Sequence, residues 1–258
     1  MQILLAVAAL PVFLLGMYIY KKDRNKEPTK LLTKLFIGGI VSCFLVLVVG
    51  YILELVFPFF GYETDNMNLV ELFIYVFIGI ALVEEVCKWF IVYEISYNDK
   101  NFDELYDMIV YSVFVALGFA LFENILYVFG GGIGVGIVRA LLAVPGHACD
   151  GAAMGYYLGM AKLTSLNNRK DLSKKYMVFS ILVPTILHGI YDYCLFTGNT
   201  LFVLAFFAFV IMLYIFTIRR VNRVSSITKK MKYKDNYCGN CGTPVKSNFC
   251  SRCGRKNE

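Results

Sequence analysis

Glu84, Glu85 and Lys88 stand inside "ALVEEVCKWF" (81–90), a run that is otherwise almost wholly apolar. On a helix, Lys88 lies four residues from Glu84 and three from Glu85, so its ammonium can meet either carboxylate. Adjacent helical residues diverge by about 100°, so the two glutamates cannot point the same way. The expectation is a division of labour. One carboxylate enters a polar cavity and acts as a general base toward water, while the other pairs with Lys88. The plainer account of the same residues is a buried structural ion triad.

Further groups of this kind follow. Glu123 and Asn124 sit in "GFALFENILY" (118–127), and Pro145-Gly146 precedes His147 in "RALLAVPGHACDGAAMGYYLG" (139–159). In "PTILHGIYDY" (184–193), His188 and Asp192 are i,i+4, so the carboxylate can receive an imidazole N–H and fix the tautomer. Arg139 and Asp150 are the remaining deep charges, while Glu54, Glu71 and Glu94 fall close enough to the ends of apolar runs to reach an interface. A charge at mid-bilayer costs about 2.5–3.5 kcal/mol on insertion scales, so each deep one is a functional candidate by default. A lone buried histidine is more often a packing residue. Here both histidines of the chain lie in apolar runs, each with a carboxylate three or four residues on, which favours function. Pro145-Gly146 is expected to free backbone groups for a cavity, and Gly151, Ala152, Ala153 and Gly155 to admit a close helix. At 1.5 Å rise per residue, Glu84 and His147 come out about 17–21 Å below the outer face and His188 about 12 Å. Glu123 and Asp192 fall at roughly 6–9 Å. One outward-opening polar cavity, floored by Glu84 and His147, fits these depths.

The elements that must hold these residues are read from composition. Of 258 residues, 58% are hydrophobic and only 17% charged, and the mean hydropathy is +0.62. A soluble domain has about a quarter charged residues. The fold class is therefore an all-α polytopic membrane helical bundle of about seven transmembrane helices. The runs cover 3–20, 32–57, 70–95, 107–129, 136–160, 177–196 and 201–218. The first has no charged preface and no small-residue cleavage site, and reads as an anchor. All of the 25 Lys and Arg except Lys88 and Arg139 fall in or beside 21–31, 96–106, 161–176 and the tail from 219. The segments 58–69, 130–135 and 197–200 hold none. That asymmetry predicts the N-terminus outside and the C-terminus in the cytoplasm. The basic stretches "KKDRNK" and "TKKMKYK" fit topology and anionic lipid, and nucleic acid is not an expected partner.

The tail divides from the membrane domain (1–218) as a basic cytoplasmic linker (219–236) and a Cys-rich end (237–258). Cys238-x₂-Cys241-x₈-Cys250-x₂-Cys253, with Gly242 and Gly254 after the pairs, is the spacing of a closed Cys₄ zinc ribbon. A structural Zn²⁺ would supply the folding energy of so short a module. A reducing compartment disfavours disulfides there. Its expected role is to bind a cytoplasmic protein partner or to stabilise the tail. No organic cofactor is expected. Cys43, Cys87, Cys149 and Cys194 each stand alone in a run and read as small packing residues.

"EEVCK" resembles the E-E-x-x-K motif of the PrsW family of intramembrane proteases. "FENILY", "PGHA" with its small residues, and "HGIYD" look like the later motifs of that family, in the same order, over about 70–196. That family is similar in turn to the CAAX protease and bacteriocin self-immunity group. The resemblance implies site-1 cleavage of a single-pass anti-sigma factor on its extracytoplasmic side, in the envelope-stress response of a bacterial plasma membrane. It implies Glu84 and Glu85 as the essential pair, with His147 and His188 completing the site. On this reading Glu84 deprotonates a water oriented by His147, while His188, held by Asp192, stabilises the oxyanion. Lys88 sets the charge of the pair, and a catalytic metal stays open. Two other classes compete. An ion- or proton-coupled transporter would also bury such charges, though no internal repeat is evident. A non-catalytic scaffold would act through its zinc ribbon.

Overall fold

A computed structural model describes residues 2–23, 25–64 and 67–228. Its elements are α1 (Gln2–Lys22), α2 (Thr29–Val56), a 3₁₀ turn (Pro58–Gly61), α3 (Leu69–Ile74), a π-helical segment (Tyr75–Leu82) and α4 (Val83–Ser96). Then come α5 (Leu105–Leu141), α6 (Ala143–Leu166), α7 (Lys170–Phe196) and α8 (Thr200–Thr228). Among the described residues there is no strand. Large apolar side chains such as Leu201, Leu204 and Phe216 point outward. A helical bundle that is apolar outside as well as inside is a membrane protein. Five helical stretches are long and apolar enough to cross a bilayer: α1, α2, Leu105–Leu166, α7 and Thr200–Ser226. The rod from 69 to 96, divided among α3, the π segment and α4, is not one of them.

Helix ends follow their residues. Asn68 and Glu71 form a reciprocal capping box that starts α3, with Asn68 Oδ1 accepting from the amides of Val70 and Glu71. Asp107 Oδ2 accepts from the amides of Asp103 and Glu104 at the start of α5. The main core lies between α5 and its neighbours α1, α2, α4 and α6. A Cβ on Gly39 would sit 2.0 Å from the Val115 carbonyl oxygen, and one on Gly155 2.3 Å from that of Met108. Glycine at these crossings brings α2 and α6 onto α5 at backbone distance. The small residues of 151–155 thus do admit a close helix, α5, through Gly151 and Gly155.

One expectation holds and another changes. The glycine-rich stretch 130–135 does break the helix: Gly132, at φ 77°, leaves helical geometry and divides α5 into two helical arms. The arms fold back on one another there, since Arg139 reaches Glu123 and Asn124 across the turn, and the positive φ is open to glycine. The break at Leu142 is slight, because Leu142 N–H still bonds the Val138 carbonyl and α6 follows directly. This places Pro145 in the first turn of α6. Pro145 has no N–H for the Leu141 carbonyl, and a neighbouring helix supplies the donor: the Tyr214 hydroxyl of α8 donates to Leu141 O at 3.0 Å and to Leu142 O at 2.9 Å. Gly146 N–H bonds the Leu142 carbonyl. At the other end, α8 continues past 218 to Thr228, so the linker expected at 219–236 begins as helix. The proposed ribbon, Cys238, Cys241, Cys250 and Cys253, lies outside the described residues.

Candidate active site

The π-helical segment delivers the glutamate pair: α4 begins at Val83, directly after it. π turns are rare and recur at functional sites. The two carboxylates meet different surroundings, as expected of adjacent residues. The Glu84 side chain is 13% exposed and lines a cavity of about 500 Å³, whereas that of Glu85 is fully buried. Lys88 does not choose between them. Its Nζ donates to Glu85 Oε1 at 2.8 Å and to Glu84 Oε2 at 3.2 Å, and lies 3.9 Å from the centre of the Phe119 ring.

α6 presents His147 and α7 presents His188, their rings edge-to-face at 5.4 Å. Lys88 Nζ reaches His147 Nδ1 at 3.4 Å, and His147 Nε2 lies 2.8 Å from Glu123 Oε2. An ammonium can only donate, so Nδ1 accepts and Nε2 carries the hydrogen given to Glu123. The carboxylate partner of His147 is thus Glu123 on α5, not Asp150 three residues on. Both ring nitrogens are engaged, which leaves His147 no free nitrogen to orient water. Arg139 Nη2 is 2.8 Å from the same Glu123 oxygen, and Arg139 Nε donates to Asn124 Oδ1 at 3.1 Å. Asn124 in turn donates to the Ala8 carbonyl, fastening the cluster to α1.

His188 stands between carboxylates. Nδ1 is 2.9 Å from Glu85 Oε1, and Nε2 is 3.3 Å from Asp192 Oδ2 and 3.8 Å from Glu84 Oε2. Carboxylates on both sides suit a ring with hydrogen on each nitrogen. Gly189 permits this approach, since a Cβ there would meet the Phe77 ring of the π segment at 2.6 Å.

The eight residues that the sequence assigned to the catalytic site therefore fall in one cluster. Glu84, Glu123, His147, His188 and Asp192 line the cavity, with Glu85, Lys88 and Asn124 behind it. Arg139 and Asp150, deep charges to which the sequence assigned no catalytic part, also line the cavity, as does Tyr191, which sequence reasoning missed. The signal for Arg139 was present: with Lys88 it is one of two cations outside the basic segments. Asp150 is buried, its Oδ1 without a hydrogen-bond partner among the described residues. Cys43, Cys87, Cys149 and Cys194 are buried and free, as packing residues should be. One ligand atom from each of Glu84, Glu85, His147 and His188 lies within 4.8 Å of the others, a donor set of the kind that binds zinc. Lys88 Nζ stands within 3.4 Å of atoms on three of those four residues.

Comparison with known proteins adds an independent line. A family model described as "PrsW family intramembrane metalloprotease" matches residues 27–218. The chain is 37% identical over 225 residues to "Protease PrsW" of Oceanobacillus iheyensis, covering 87% of this chain and 97% of that protein. It is 36% identical over 211 residues to "Protease PrsW" of Bacillus subtilis (strain 168), covering 81% and 90%. The Clostridioides difficile (strain 630) protein of the same name is 30% identical over 233 residues, covering 88% and 94%. No solved structure matches the chain.

Proposed function

The chain belongs to the PrsW family of intramembrane proteases, and from that premise we propose that it is a glutamic-type peptidase in which Glu84 is the base. The observation that carries this is the unequal burial of the pair: Glu84 opens on the cavity and Glu85 does not. A water on the cavity side can sit in hydrogen-bond range of both Glu84 Oε2 and His188 Nε2. Glu84 takes its proton as the water oxygen bonds to the scissile carbonyl carbon. His188, held through Nδ1 by Glu85, turns its Nε2–H from Asp192 Oδ2, 3.3 Å away, to the developing oxyanion. The C–N bond then breaks, and Glu84 returns the proton to the leaving amine. His147, held by Glu123 and Arg139, positions the Lys88 ammonium, which keeps Glu85 and Glu84 from repelling one another.

The donor set is chemically suited to a metal, but Lys88 argues against one in this arrangement. A divalent ion drawn to these oxygens and nitrogens would meet a fixed ammonium within a few ångströms, in a medium that screens the repulsion poorly. The Lys88 ammonium already supplies positive charge between Glu84 and Glu85. No step above needs a metal.

The proposed substrate is a single-pass membrane protein such as an anti-sigma factor, cut on its extracytoplasmic side. The proposed orientation, N-terminus out and C-terminus in, rests on the distribution of Lys and Arg. The tail is proposed to hold one structural Zn²⁺ at Cys238, Cys241, Cys250 and Cys253 and to meet a cytoplasmic protein. A transporter is not favoured, because the charged groups converge on one cavity in a chain of protease relatives. The test compares membrane proteomes of cells carrying the wild type or Glu84→Gln. Single-pass proteins shortened only by the wild type support the reading; identical proteomes overturn it.

A further inference from the structure

A second hollow, of about 320 Å³, lies between α6, α7 and α8 on the side of the catalytic cavity toward Arg220. Leu187 of α7 and Leu213 of α8 line both spaces, so the two meet at that pair of side chains. The packing of α8 explains the gap. Near its start, Phe206 and Val210 pack with Cys194 of α7. Near its end, Val221 and Val224 join the main core. Between those anchors α8 stands off from α7. The floor is set by Ala152 and Ala153 of α6, whose one-carbon side chains leave depth, and Met212 and Phe216 form an outer wall exposed to the bilayer. At 1.5 Å per residue, the stretch from Leu213 to Arg220 spans roughly 10 Å. Arg220, stacked 4.4 Å from the Tyr156 ring, marks the polar end.

We propose that this trench docks the transmembrane segment of a single-pass substrate and delivers the residues beyond that segment to Glu84. The inference rests on the protease reading above and adds the route by which the substrate is held. Three observations select this occupant. The trench is apolar and open to lipid, which suits a membrane-spanning segment and not a soluble peptide. Its small-residue floor is of the kind that lets one helix approach another closely. Its continuity with the catalytic cavity through Leu187 and Leu213 gives a docked chain a path to the base, which an isolated lipid site would not need.

The test uses the full-length protein in membranes, in the Glu84→Gln background, with a photocrosslinking residue at Met212 or Phe216. The probe is the epitope-tagged single-pass protein that the wild type shortens in the proteome comparison. Adducts with the tagged protein from Met212 and Phe216, and none from Ile211 and Ile218, which are exposed on α8 outside the trench, are the expected result. Equal adducts from all four positions, or none, overturn the proposal. So do adducts with phospholipid alone, which would make the trench a lipid site. In the active protein, Ala153→Phe should slow cleavage of the tagged protein roughly tenfold or more, as overfilling a packed site does. An unchanged rate overturns docking. If the wild type shortens no single-pass protein at all, the substrate reading itself has failed, and the proteome comparison shows that before any crosslinking.

Discussion

His188 Nδ1 lies 2.9 Å from Glu85 Oε1, a contact that ties α7 to α4 through a carboxylate with no exposure to solvent. Glu85 is therefore bound into the structure on two sides, by His188 and by Lys88, whereas Glu84 keeps one face to the cavity. The two glutamates should fail differently. Glu84→Gln should abolish cleavage and leave the thermal unfolding midpoint in detergent nearly unchanged. Glu85→Gln should abolish cleavage and also destabilise the fold by about 3–5 kcal/mol, since it leaves a buried ammonium half-compensated. Unfolding curves of the two purified variants decide between these outcomes.

Glu123 connects His147 to Arg139, and through Asn124 the cluster reaches α1. His147→Ala should lower kcat by about 10²–10⁴-fold, the range for a misplaced acid–base group. Glu123→Gln keeps an acceptor for His147 but loses the charge paired with Arg139. It should lower kcat less and leave KM alone, which a steady-state assay on a cleaved substrate separates.

Removing metal should leave catalysis standing. The purified chain is expected to carry one zinc, in the tail, by elemental analysis. Cys238→Ser with Cys241→Ser should abolish that zinc while cleavage of a co-expressed substrate continues. Cleavage lost on chelation and restored by zinc would sink the glutamic mechanism. A second zinc per chain would point to a metal among Glu84, Glu85, His147 and His188.

Stability should depend on pH through the connection between α1 and α2. Glu27 is buried there and accepts a hydrogen bond from the Tyr111 hydroxyl. Burial, and then repulsion from Asp23, Asp103 and Asp99, push its carboxyl up from 4.5 to about 7, against the pull of Tyr111. A raised carboxyl contributes its stabilisation fully below 4.5 and loses it as pH climbs through about 7. The unfolding midpoint should therefore fall between about pH 5 and pH 8. Glu27→Gln should flatten that fall. Gln still accepts from Tyr111 and carries no charge.

Gly39→Ala should destabilise the bundle by about 1–3 kcal/mol, the usual cost of overpacking. Its Cβ would fall 2.0 Å from the Val115 carbonyl, an atom that cannot swing away. Gly50→Ala, with nothing within 4 Å, is the control. Thermal unfolding of the pair side by side gives the comparison.

What the sequence made legible was the set of residues, because a charge in an apolar helix stands out without any knowledge of its neighbours. Glu84, Lys88, His147 and His188 were found that way. Which glutamate opens on the cavity was not legible, since its azimuth depends on the π segment of Tyr75–Leu82, a run of apolar residues with no π signature of its own. The partner of His147 was not legible for a related reason. Helical spacing brings Asp150 near in sequence, and a tertiary contact with α5 supplies Glu123 instead. The break at 130–135 was legible, because a run of glycines marks where the chain can take a positive φ, as Gly132 does. The pairing of Arg139 with Glu123 was not, since it forms across that turn and has no helical spacing to announce it.

Lys88 touches Glu84, Glu85 and His147 at once. A charge supplied this way is made with the chain, one per molecule, and no uptake system can raise it or withhold it. On the glutamic mechanism proposed above, starving the cell of a nutrient ion would leave the active centre as it was. An enzyme working that way has no such throttle at its centre, and its activity is governed at the entrance, by what is allowed to reach Glu84 and when.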